Sequence, residues 1–147
     1  MEQRDTNVLR VCGDLIRTAA LFRKELDKHL AHLGLSGPQF GILSQLQFGG
    51  KTRLSELGKR LWVSGGNVTG LVDRLVKAGY VKRIRMHTDR RVIFAELTER
   101  GRELVAELQP LHRACMLELT DGLEDEDLRN LHVLLGKIQS PVMKEGD

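Results

Sequence analysis

RLSELGKRLWVSGGNVTGLVDRLVKAGYV, residues 53–81, is the stretch on which the fold turns. Leu54, Leu57 and Leu61 recur at steps of three and four, and Val68, Leu71, Val72, Leu75 and Val76 do so again. Each set marks the inner face of an α-helix. The spacing breaks at Trp62-Val63, and Ser64 follows as an N-cap whose hydroxyl suits an unpaired N–H of the next helix. Thr52 holds the corresponding place before the first helix, and Ala78-Gly79 closes the second. Two short helices joined by a tight turn form a helix-turn-helix.

Reading onward, residues 81–86 and 91–97 are strand-like, with His87 to Arg90 as the turn between them. A helix-turn-helix followed by a two-stranded hairpin is a winged helix. Thr98 then caps a helix through about Leu119, with an apolar seam of Leu104, Leu108, Leu111, Cys115 and Leu119. Pro110 is expected to kink it, because proline removes one ladder hydrogen bond. A last helix over 124–139 carries Leu128, Leu131, Leu135 and Ile138 in register.

Reading backward, residues 8–33 hold Val8, Cys12, Leu15, Ile16, Ala19, Phe22, Leu26, Leu30 and Leu33 at helical spacing. Ser36 with Gln39 three residues on matches a capping box. The helix it opens buries Phe40, Leu43 and Leu46 and stops at Gly49-Gly50. The expected fold is mainly α with a small β-hairpin wing: a winged helix-turn-helix flanked by long dimerisation helices. Residues 35–98 would form the winged-helix lobe, and 5–34 with 99–142 the helical lobe. The terminal seams are too long for the central module to cover, so the chain is expected to pair with itself as a homodimer. The alternative is a monomeric bundle in which these helices fold back on one another.

Net charge is only +3 over 147 residues, yet it is unevenly placed. Residues 51–91 hold eleven Lys and Arg against three acids, Glu56, Asp73 and Asp89, while residues 117–127 are acidic. A basic middle of this kind implies a localised anionic partner. No run approaches the roughly 18 apolar residues of a membrane span, and no signal peptide opens the chain, so a cytoplasmic location without membrane contact is expected. Cys12 and Cys115 make no disulfide framework and no zinc spacing. His29 and His32 lie one helical turn apart, and His112 or His132 is a conceivable neighbour. Without Cys or Glu at a suitable spacing they read as solvated histidines, and no metal or cofactor is expected. Nor is there a Gly-rich phosphate loop, a nucleophile elbow or a convincing carboxylate pair, so an enzyme is not expected.

LGLSGPQFGIL (residues 33–43), the 53–81 stretch and DRRVIFAELTERGREL (89–104) together resemble the MarR family of winged-helix transcriptional regulators. The Asp-x-Arg of the wing followed by Leu-Thr-x-x-Gly is the most specific part. The resemblance covers essentially the whole chain. It implies a homodimer that binds pseudo-palindromic double-stranded DNA and releases it when a ligand or an oxidant acts.

On this reading the second helix enters the major groove and presents Ser64, Gly65, Gly66, Asn67, Thr69, Gly70, Asp73, Arg74 and Lys77. Asn67 is the best base reader, since its amide can pair with both N6 and N7 of adenine. Thr69 offers a hydroxyl and a methyl. The glycines at 65, 66 and 70, each unfavourable in a helix by about 1 kcal/mol relative to Ala, allow close backbone approach. Lys51, Thr52 and Ser55 are expected at phosphates. Lys82, Arg83 and Arg85 would neutralise more of them, and Arg90 and Arg91 would reach the minor groove or its flanking phosphates. The resemblance gives Asp89 the job of pairing with an arginine to hold the loop.

Two release routes stay open. One is a small aromatic or phenolic effector between the dimer helices and the winged helix, where Arg17, Phe22, Phe40, Phe48 and Leu111 are candidate lining residues unless the aromatics are simply core. The other is thiol oxidation. The organic-hydroperoxide-sensing branch of the family keeps a reactive cysteine in the first helix, and Cys12 stands 26 residues before Pro38-Gln39, as in that branch. Cys115 falls near where some members keep a resolving cysteine on the partner subunit. The tyrosines that serve the sulfur in that branch would fall on Leu26 and Gly37.

Overall fold

The computed structural model describes residues 2–61 and 65–143. Their order is α1 (Glu2–Leu30), a 3-10 turn (Ala31–Leu33), α2 (Gly37–Gly49), β1 (Thr52–Arg53), α3 (Leu54–Leu61), α4 (Gly65–Lys77), β2 (Val81–Arg85), β3 (Ile93–Leu97), α5 (Glu99–Leu119) and α6 (Asp125–Met143). The chain divides into two compact units, Met1–Arg113 and Ala114–Asp147. No helix among the described residues is long and apolar enough to cross a membrane.

In the first unit, local sequence sets each boundary. Gly34, with φ of 67°, ends the first helical segment, and the N–H groups of Gly34 and Leu35 donate to the carbonyls of Ala31 and Leu30. This double closure needs a left-handed residue, which glycine adopts without strain. Ser36 and Gln39 make the expected capping box at the start of α2. Gly79, φ 81°, closes α4 in the same way as Gly34: its N–H donates to Val76 and that of Tyr80 to Leu75. Thr98 caps α5, its hydroxyl accepting from the Gly101 N–H and donating to the Gly79 carbonyl.

The core gathers Ile42, Leu43 and Leu46 of α2, Leu57 of α3, Val68, Val72 and Leu75 of α4, Val81 of β2, and Val105 and Leu108 of α5. Each is essentially without solvent exposure; burial of such a side chain contributes roughly 1.5–3 kcal/mol. Leu26 and Leu30 bring the end of α1 onto this cluster. Earlier in α1 the apolar residues are uncovered: Leu9, Ile16 and Leu21 are all more than half exposed.

In the second unit, the Thr120 hydroxyl donates to the Met116 carbonyl as α5 ends. The Glu124 N–H donates to Asp127 Oδ2 as α6 begins. Val133, Leu134 and Ile138 of α6 are exposed.

Four expectations change. The first helix starts earlier and tightens to a 3-10 turn at Ala31. The sheet has three strands, in the order β1-β3-β2, because Thr52 and Arg53 pair antiparallel with Ala95 and Phe94. Thr52 is therefore a strand residue and not a helix cap. The wing turn spans seven residues, 86–92, instead of four. The turn at Trp62-Val63 and the Ser64 cap lie outside the described residues.

Candidate nucleic-acid interface

Helix α4 sorts its residues by the helical period. Val68, Leu71, Val72 and Leu75 are buried, while Gly66, Asn67, Thr69, Asp73, Arg74 and Lys77 are exposed and Gly70 partly so. The exposed face thus carries the side chains suited to base edges and phosphates. Among the described residues, a Cβ added at Gly66 or Gly70 would meet no atom within 4 Å apart from its chain neighbours and its own helix backbone. Packing within the chain does not require glycine there, which leaves open space on the outer face for an approaching molecule.

The sheet applies the strand period. Thr52 and Ala95, opposite one another, both point into the core, and Arg53 and Phe94 share the other face. Thr52 is only 4% exposed and its hydroxyl donates to the Gly50 carbonyl, so it is removed from the expected phosphate contacts. Ser55, one turn into α3, is exposed.

The wing cations fall into two groups. Lys82 forms a cross-strand ion pair with Glu96 at 3.2 Å. Arg83 is bound more closely: its Nη2 lies 2.7 Å from Asp73 Oδ1 and donates to the Thr69 carbonyl at 3.4 Å, and its Nε is buried without an acceptor among the described residues. Arg83 therefore ties β2 to α4 and is not a free phosphate contact. Arg85, Arg90 and Arg91 are exposed and form no ion pair among the described residues.

Asp89 also differs from expectation. It braces the loop through backbone, its Oδ1 accepting the Arg91 N–H at 2.9 Å while its carbonyl accepts from Val92. This Asx-type turn replaces the arginine pairing that the resemblance implied. All three carboxylates between residues 51 and 91 are thereby engaged: Glu56 with Arg60, Asp73 with Arg83, and Asp89 with its own turn.

Between α3, α4 and the base of the wing lies a cleft of about 400 Å³ lined by Arg53, Leu54, Ser55, Thr69, Arg91, Val92 and Ile93. It joins the three elements expected to meet a nucleic acid. A family model for the MarR family matches residues 35–93, the helix-turn-helix and most of the wing. The multiple antibiotic resistance protein MarR of Salmonella typhimurium is 30% identical over 77% of this chain and 79% of its own. The chain belongs to the MarR family. Two solved relatives share its fold. A mutant of MarR from E. coli, complexed with operator DNA, has a TM-score of 0.80 at 28% identity, over 90% of this chain and 96% of that one. Sco3205 of Streptomyces coelicolor, in complex with DNA, has a TM-score of 0.84 at 26% identity, over 90% and 86%. As a MarR-family protein the chain is a DNA-binding transcriptional regulator and not an enzyme.

The family's Leu-Thr-x-x-Gly acquires a physical reason here. Leu97 is core, Thr98 caps α5 on the turn that ends α4, and a Cβ at Gly101 would collide with the Tyr80 carbonyl. These residues lock the end of β3 and the start of α5 to the turn that follows α4.

The candidate release residues differ in exposure and contacts. Phe40 is core, its ring 4.9 Å from that of His112. Arg17 is exposed and paired with Asp14, Phe48 is 81% exposed, Leu111 is exposed and Phe22 half-buried. Cys12 is exposed and Cys115 buried. His29 sets its Nδ1 2.8 Å from the Glu25 carbonyl one turn back. Sequence reasoning missed two residues of the interface edge, Arg53 and Phe94. The one trace they leave is the Lys51-Thr52-Arg53 alternation, too short to register as a strand.

Proposed function

We propose that the protein is a homodimeric repressor of pseudo-palindromic operators, released by a small effector. The observation that carries this is the uncovered apolar rows of α1 and α6, Leu9, Ile16 and Leu21 on one and Val133, Leu134 and Ile138 on the other. A recognition helix reads one half-site, and two copies set about 34–36 Å apart read a palindrome. On this reading residues 35–98 form the DNA lobe, 5–34 and 99–142 form the dimer lobe, and the protein works in the cytoplasm. Asn67 and Thr69 read bases, Arg90 and Arg91 enter or flank the minor groove, and Ser55, Ser64, Gly65, Gly66, Arg74 and Arg85 lie at the backbone.

The effector in this proposal is a small aromatic or phenolic molecule. On this reading the exposed Arg17, Phe48 and Leu111 meet it together with the partner subunit. The exposure of Cys12 favours a second reading, in which an organic hydroperoxide oxidises that thiol and so releases DNA. A resolving role for Cys115 then requires its burial to be relieved first.

Sedimentation and a gel shift on DNA upstream of the protein's own gene test the proposal together. Ile16→Asp should yield a monomer that no longer retains the duplex. A dimer unaffected by this change would remove α1 from the interface. Release by peroxide that persists in Cys12→Ser would remove the thiol reading.

A further inference from the structure

Two cations lean on one aromatic ring at the edge of the cleft. Lys51 Nζ lies 5.1 Å from the centre of the Phe94 ring and the Arg53 guanidinium carbon 5.6 Å from it. Strand pairing explains why: Arg53 is the register partner of Phe94, and Lys51, two residues back, shares its face. Neither cation forms an ion pair among the described residues, although six other Lys and Arg do. Two like charges over one ring repel each other. Both are flexible side chains whose ordering has an entropic cost. The ring offsets this in part, because its electron-rich face attracts cations. It does not remove the surplus charge.

That surplus sits next to the reading surface. Arg53 lines the same cleft as Ser55, Thr69 and Arg91, so the pair continues the line of groups that runs from the wing across α4 to the start of α3. We infer that Lys51 and Arg53, held by Phe94, form a binding site for a DNA backbone phosphodiester flanking the bases that α4 reads. Lys51 and Arg53 contact the phosphate. Phe94 is a positioning residue that acts through them. The inference rests on the DNA-binding role of the chain and extends the binding surface beyond the helix-turn-helix and the wing tip.

The test measures affinity against salt for the full chain. Two 40-base-pair duplexes are used, one from upstream of its gene and one unrelated. Each phosphate that is no longer neutralised lowers the slope of log K against log salt by about 0.9. Arg53→Ala should lower it by part of that amount and weaken binding to both duplexes equally, because a phosphate contact carries no sequence information; the Lys51→Ala/Arg53→Ala double variant should lower it by the whole amount. Lys51→Ala should do the same. Phe94→Leu should weaken binding about two- to fivefold, Phe94→Tyr should restore it, and Phe94→Leu should add nothing in a Lys51→Ala/Arg53→Ala background. Thermal melting of every variant identifies loss of folding, and Phe94→Tyr, which keeps the ring, carries the argument if Phe94→Leu unfolds. An unchanged slope in Arg53→Ala and Lys51→Ala overturns the site, even if affinity falls. A loss confined to the upstream duplex also overturns it. If the unsubstituted protein retains neither duplex, the DNA-binding role itself has failed, an outcome distinct from failure of this site alone.

Discussion

Arg17, Lys28, Arg60 and Arg102 each stand three or four residues from an acid on the same helix, and each is paired with it. Lys51 just before β1, Arg53 on it, and Arg85, Arg90 and Arg91 of the wing form no ion pair among the described residues. The two regions hold cations under different geometric rules. A helix brings i and i+4 onto one face, so a nearby acid neutralises its base. A strand sends neighbours to opposite faces, and a seven-residue loop imposes no such spacing. The few acids around the wing are spent on architecture, Asp73 on Arg83 and Asp89 on the turn. A positive field therefore survives along one edge of a protein whose net charge is only +3.

The largest test of this contrast removes the wing tip. Arg90→Ala with Arg91→Ala should lower the salt slope by about 1.8 and weaken DNA binding on the order of tenfold to a hundredfold. Arg90→Ala alone should lower the slope by about half as much, on all sequences alike. A slope equal to that of the unsubstituted protein would mean the unpaired cations meet no phosphate.

Arg83 sharpens the comparison, because it lies in the wing yet behaves like the helix cations. Arg83→Ala should weaken binding several-fold, through loss of the α4–β2 tie, with a smaller change of slope than either tip arginine gives. In a double-mutant cycle on folding, Arg83 and Asp73 should couple by about 0.5–1 kcal/mol, within the range of partly exposed pairs. A coupling near zero would make the tie incidental. At the far end of the contrast, Arg102→Ala should leave DNA binding unchanged and alter stability by no more than about 0.5 kcal/mol.

The readable parts of the sequence were those governed by repeating spacing or by a single residue's conformational demand. Leu57, Val68, Val72 and Leu75 repeat over enough turns to fix α3 and α4. Ser36 with Gln39, Gly79 and Thr98 announce their boundaries through hydrogen bonds that few residues can make. Strand β1 escaped because two residues have no period, and with it went the inward turn of Thr52 and the Arg53–Phe94 contact. The ion pair of Arg83 was out of reach for a related reason. Its partner Asp73 is ten residues away, and only folding of β2 against α4 brings them together. Composition could say that cations cluster at the wing. It could not say which of them an acid had already taken.

The smallest expected effect concerns His112, whose titration burial shifts. His112 packs on Phe40, its Nδ1 has no hydrogen-bond partner among the described residues, and burial holds its pKa below the ordinary histidine value, which is about 6.5. The unfolded chain therefore takes up this proton first as pH falls. Stability from neutral His112 is fully present above about pH 6.5 and is lost progressively as pH drops through the lower, folded-state pKa. Urea midpoints of the protein and of His112→Leu, compared at pH 7.5 and 5.5, isolate this contribution. The unsubstituted protein should lose more of its midpoint over that interval than the variant. Equal losses would mean that the imidazole gains a proton in the folded state without cost, as it would if a water or a partner subunit reached Nδ1.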